Sequence, residues 1–118
     1  MLVVDDTPFF RHLEKKYFES VGFKVTLASN GREALELLLE KPSKYDLVVS
    51  DIVMPIMDGY ELVKNMKINS LLMKIPVVAL TSFSEAEHHE KALAAGFDGY
   101  AIKTNKETIL KAVNRFLI

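Results

Sequence analysis

Cysteine is absent from the 118-residue chain. This excludes disulfides and thiolate metal centres, and it fits the reducing cytoplasm as the expected location. No apolar run approaches the ~20 residues that a membrane-spanning helix needs, so no membrane insertion is expected. The start carries no secretory leader pattern either, because Asp5 and Asp6 follow Val4 at once, where a leader would continue into an apolar stretch. Charge of neither sign dominates: 15 Lys and Arg stand against 16 Asp and Glu, a formal net charge of −1. No basic cluster stands out, so a nucleic-acid partner is not expected. Repeats, low-complexity stretches and linkers are missing as well. What is present is ordinary folded composition, 49% apolar and 26% charged, in a chain long enough to bury a core as one domain over residues 1–118.

Short apolar runs alternate with helical periods. Leu2-Val3-Val4, Leu47-Val48-Val49 and Val77-Val78-Ala79-Leu80 read as strands buried on both faces of a parallel sheet. Val25-Thr26-Leu27 and Tyr100-Ala101-Ile102 read as weaker edge strands. Each helical segment between them carries punctuation. Thr7 with Pro8 opens the first, which presents Phe10, Leu13 and Tyr17 and stops at Gly22. Asn30 with Glu33 and Asp58 with Glu61 open the second and third, and Ser84 with Glu87 and Thr104 with Glu107 make capping boxes before the fourth and fifth. The fourth ends near Ala95, before Gly96. Leu62, Val63 and Met66 share a face of the third, and Ile109, Leu110, Val113 and Leu117 of the fifth. Five strand–helix units predict an α/β, three-layer, doubly wound sandwich with five parallel strands in the order 2-1-3-4-5 and five helices. Ligands in such folds bind outside the carboxyl ends of the strands, near the switch point between strands 1 and 3.

Polar residues of a consistent kind occupy those ends: Asp5 and Asp6 after strand 1, Asp51 after strand 3, Thr81 and Ser82 after strand 4, Lys103 after strand 5. Singly, each reads as a solvated loop residue. Together they read as a site. Clustered carboxylates repel one another, and a hard divalent cation, magnesium, removes that cost. Lys103 and Thr81 would offset charge on a transferring phosphoryl group, and a carboxylate can take that group as an aspartyl phosphate.

With Leu2-Val3-Val4-Asp5-Asp6, Asp51-Ile52-Val53-Met54-Pro55, Met57-Asp58-Gly59, Ala79-Leu80-Thr81-Ser82 and Lys103 in place, the chain resembles the response-regulator receiver domains of two-component signalling, over its whole length. The resemblance implies a flavodoxin-like fold and a phosphoacceptor signalling domain rather than an enzyme. By it, Asp51 is the phosphoacceptor, supplied by a phosphohistidine on a histidine kinase or its phosphohistidine domain. Asp5 and Asp6 form the acidic pair for Mg2+, joined by Asp51 and by the Val53 backbone carbonyl. Thr81 and Lys103 sense and balance the phosphate, and Thr81 and Tyr100 form the switch. A downstream protein reads a face made by the fourth helix, fifth strand and fifth helix. The residues two beyond acceptor and threonine, Val53 and Phe83, are apolar and imply a slow loss of phosphate.

Two features depart from the family pattern. Thr104 follows Lys103 where proline is usual, and the chain begins almost on its first strand, so a piece of a longer protein is expected. Asp5-Asp6-Thr7-Pro8-Phe9-Phe10-Arg11 is similar to receivers appended to chemotaxis kinases or coupling proteins. The main alternative is a pseudo-receiver that is never phosphorylated and acts as an interaction module. An aspartyl phosphatase would need an acid where Val53 stands. A flavin domain would need a Gly, Ser or Thr-rich loop where Asp5-Asp6-Thr7-Pro8 stands. His12, His88 and His89 read as surface, Asp58 as a helix cap, and Met54, Met57 and Met66 as packing. Of Phe9 and Phe10, one is expected to be exposed.

Overall fold

The structure is a computed structural model that describes residues 1–81, 86–103 and 106–116, with the side chains of 86–88 left aside. The elements are β1 (Leu2–Val4), α1 (Pro8–Glu19), β2 (Thr26–Ala28), α2 (Gly31–Glu40), β3 (Val48–Asp51), α3 (Gly59–Lys67), β4 (Val77–Thr81), α4 (Ala86–Ala95), β5 (Gly99–Ile102) and α5 (Lys106–Asn114). All neighbouring strands pair in parallel, in the order β2-β1-β3-β4-β5. This is the expected α/β doubly wound sheet. Strands 2 and 3 begin one residue later than the apolar runs imply, at Thr26 and Val48.

Alternation along the strands builds the three layers. Leu2, Val4, Val48, Val77 and Ala79 face one way and meet Ala34, Leu38, Leu62, Val63, Met66 and Ala92 of α2, α3 and α4. Val3, Val49, Val78, Leu80 and Ala101 face the other way and meet Phe18 of α1 and Ile109 and Val113 of α5. With both faces covered, the strands hold apolar residues at consecutive positions, as parallel sheets do.

Two of the five expected caps form as read: Asn30 accepts from the Glu33 N–H and Asp58 from the Glu61 N–H, each at 2.9 Å. The cap at α1 differs. Thr7 holds the cap position but its side chain makes no capping bond; its own N–H donates to Asp5 Oδ1 at 2.9 Å. The Asp5 carboxylate folds this turn from two residues upstream, an Asx turn. The buried positions of α1 also differ, being Glu14 and Phe18, while Phe10, Leu13 and Tyr17 are half-buried. The caps proposed at Ser84 and Thr104, the loop residues Ser82 and Phe83, and Leu117 lie outside the described residues.

The β3–α3 connection brings the third strand end close to its neighbours. The Gly59 N–H donates to the Ile52 carbonyl at 2.7 Å, and a Cβ at Gly59 would collide with the Asp51 carbonyl oxygen. Ahead of it, Ile56 has φ +70°, and the Met57 N–H bonds the Pro55 carbonyl at 2.8 Å, closing a three-residue γ-turn. This lets the Met57 carbonyl accept from the Gly31 N–H at 3.0 Å, tying the loop to the start of α2.

Candidate functional site

At the carboxyl edge of the sheet, β1 and β3 run side by side with Val4 opposite Ser50. Each next residue is an aspartate. Asp5 is fully buried and Asp51 nearly so, while Asp6 between them and solvent is the least covered. One carboxylate oxygen from each of Asp5, Asp6 and Asp51 lies within 4.8 Å of the others.

Lys103 stands one residue past β5. Its N–H donates to the Thr81 carbonyl at 2.8 Å, so the end of β4 fixes where the lysine stem begins. The stem runs inward, leaving Lys103 3% exposed, and Nζ meets Asp51 Oδ2 at 2.8 Å and Asp5 Oδ2 at 2.9 Å. The other Asp51 oxygen, Oδ1, accepts from the Ile52 N–H at 2.8 Å. Asp5 is held further by its backbone: its N–H reaches the Ala28 carbonyl at 3.1 Å, and its carbonyl accepts from Arg11 Nη1 at 2.9 Å.

Burial sets the electrostatics. It pushes the Asp51 carboxyl up to about 6, against the opposing bond and charge of Lys103 and with the help of Asp5. For Lys103, burial pulls downward, but its bonds to Asp51 and Asp5 outweigh this and leave it raised. Sequence reading missed a further acid. Glu14, 1% exposed, lies against Asp5, and neither of its oxygens has a well-aligned hydrogen-bond partner among the described residues. Burial first, and the Asp5 charge second, push it up to about 9. Its signal in the sequence is a lone acid at the centre of the i, i+4, i+8 row Phe10, Glu14, Phe18.

The set fits a hard divalent cation. Its donors are all carboxylate oxygens, and Asp51, whose burial already opposes ionisation, gains from positive charge. Thr81 is buried at the same rim, 4% exposed. Tyr100 is not in this cluster: it sits on β5 opposite Ala79, half-buried, with its ring stacked on His89 of α4 at 4.7 Å and 19°. His89 is exposed as read, but it is not plain surface. Val53 is at the surface, 69% exposed. Asp58 serves as the cap that the sequence implied, and His12 is exposed.

Comparison with known proteins gives a consistent answer. The response regulator receiver domain family matches residues 1–114. Response regulator SaeR of Staphylococcus aureus is 36% identical over 116 residues, 97% of this chain and 49% of its own length. The Vibrio cholerae chemotaxis protein CheY4 is similar in structure, with a TM-score of 0.87 and 33% identity over 98% of this chain and 95% of that one. The receiver domain of the Pseudomonas aeruginosa sensor histidine kinase PA1611 superposes with a TM-score of 0.87 at 26% identity, covering 98% and 94%, and holds a magnesium ion in its active-site cleft. The chain spans 77% of one curated relative, about half of several others and 15% of a Myxococcus xanthus gliding-motility regulator.

Proposed function

The chain belongs to the response regulator receiver domain family, and from that premise we propose that Asp51 accepts a phosphoryl group from a phosphohistidine of a partner histidine kinase or its phosphohistidine domain. The single observation that carries this is the Lys103 ammonium bridging Asp5 and Asp51 at 2.9 and 2.8 Å with Asp6 in the same cluster. Receiver domains are signalling domains that bind Mg2+ at such an acidic pocket. Here Asp5, Asp6 and Asp51 would hold the ion, with the Val53 carbonyl as a further oxygen. When bound, magnesium supplies positive charge beside the phosphoryl oxygens and relieves repulsion among the acids.

The transfer is an in-line displacement. An Asp51 carboxylate oxygen forms a bond to phosphorus as the bond from phosphorus to the imidazole nitrogen breaks. The bonding pair leaves with the imidazole, which takes a proton from solvent. Lys103 offsets the charge spread over the phosphoryl oxygens. The product, an acyl phosphate, carries about −2 charge where the carboxylate carried −1, so the rim gains about one negative charge. Thr81, at the end of β4, turns its hydroxyl to that charge, and Tyr100 follows it inward, leaving the His89 stack. The face of α4, β5 and α5 changes and a downstream protein reads it, a population shift biased by covalent phosphate. Borohydride reduction of protein treated with a phosphohistidine donor tests the acceptor: homoserine at position 51 is expected, and homoserine elsewhere or nowhere contradicts the assignment.

A further inference from the structure

The Lys103 ammonium has three N–H donors and almost no exposure to water. Asp51 and Asp5 account for two of its contacts. The third is an aromatic ring: Nζ lies 4.7 Å from the centroid of Phe10. That ring is held in place. Phe10 is half-buried in the first turn of α1, which Pro8 begins. Phe9 packs edge-on against it with centroids 5.3 Å apart, and Arg11 anchors the same turn to the Asp5 carbonyl.

We propose that Phe10 is a positioning residue for phosphotransfer, its ring face holding the Lys103 ammonium between Asp5 and Asp51. This rests on the reading of Lys103 as the charge partner of the phosphoryl group. A lysine is a compact charge on a flexible four-carbon stem, so two carboxylates alone leave it free to swing on one side. A third carboxylate there would fix it but would compete with the incoming phosphoryl oxygens. The negative face of an aromatic ring attracts the ammonium, carries no net charge, and excludes water, so the lysine charge keeps its strength. This gives Phe10 a role that a merely apolar residue of similar size would not fill.

The test separates ring electronics from bulk in the full chain. Phe10→Leu, Phe10→Tyr and a series of fluorinated phenylalanines at position 10 are compared for the rate of phosphorylation by acetyl phosphate at saturating Mg2+. The NMR signal of the Lys103 ammonium and the melting temperature are recorded beside it. Phe10→Tyr is expected near wild type and Phe10→Leu about fivefold slower, with the ammonium signal lost. Successive fluorination is expected to slow the reaction stepwise while ring shape and melting temperature hold. A rate indifferent to fluorination, whether or not Phe10→Leu is slow or fails to fold, would make the ring a steric lid and overturn the proposal. Lys103→Met with an unchanged rate would overturn it differently, by removing the role of Lys103 on which it rests.

Discussion

Glu14 is the residue that the fold tolerates at a cost. An acid whose carboxyl is pushed from 4.5 up to about 9 stabilises the folded chain relative to its ionised state only when protonated. Its full stability is therefore present below about pH 4.5 and is lost as pH rises toward 9. At pH 7 part of that stability is already lost. Asp51, raised to about 6, adds to the same slope at lower pH. In EDTA, the midpoint of urea unfolding is expected to fall as pH rises from 5 to 9. Glu14→Leu, which fills an apolar row, is expected to flatten the fall above pH 6 and to stabilise at pH 7; equal slopes for both proteins would contradict the account. Ile56 is a second costly residue, a β-branched side chain at φ +70°, where such side chains are strained. Ile56→Gly is expected to raise stability by about 1 kcal/mol in the same assay, since relief of strain outweighs the added backbone entropy of glycine; a lowered midpoint would show that the turn is not strained.

At the scale of elements, the caps at Asn30 and Asp58 and the stop at Gly96 were legible because short polar side chains and glycine act through local backbone geometry. The cap at Thr7 was not, because the group that folds that turn, the Asp5 carboxylate, also belongs to the site. The buried row of α1 was missed for a related reason: periodicity weighs apolar residues, and Glu14 stands in the row as an acid. The contact between α4 and β5 was equally hidden, since no spacing rule joins His89 to Tyr100. If the Tyr100 ring leaves that stack to turn inward, His89→Ala should favour the inward form by about threefold. NMR of the Tyr100 ring, before and after phosphorylation, reads the two populations; a balance unmoved by His89→Ala would mean that the stack does not restrain the switch.

At the scale of the molecule, the strand order followed from strand–helix alternation and right-handed crossovers alone. Strand order then placed Asp5, Asp51, Thr81 and Lys103 at one rim before any distance was known. What alternation does not encode is side-chain direction past the strand ends. The inward run of Lys103 to Asp5 and Asp51, and its rest on Phe10 of α1, are tertiary contacts between residues far apart in the chain. The account turns on one event, the covalent gain of phosphate at Asp51. Intact-mass measurement after incubation with acetyl phosphate, with Mg2+ or with EDTA, beside Asp51→Asn, tests it most directly. The account predicts a gain of one phosphoryl group that needs Mg2+, is absent in Asp51→Asn and is removed by hydroxylamine. No gain under either condition would contradict it and leave a domain that signals by binding alone, and an equal gain in Asp51→Asn would contradict it by placing the phosphate on another residue.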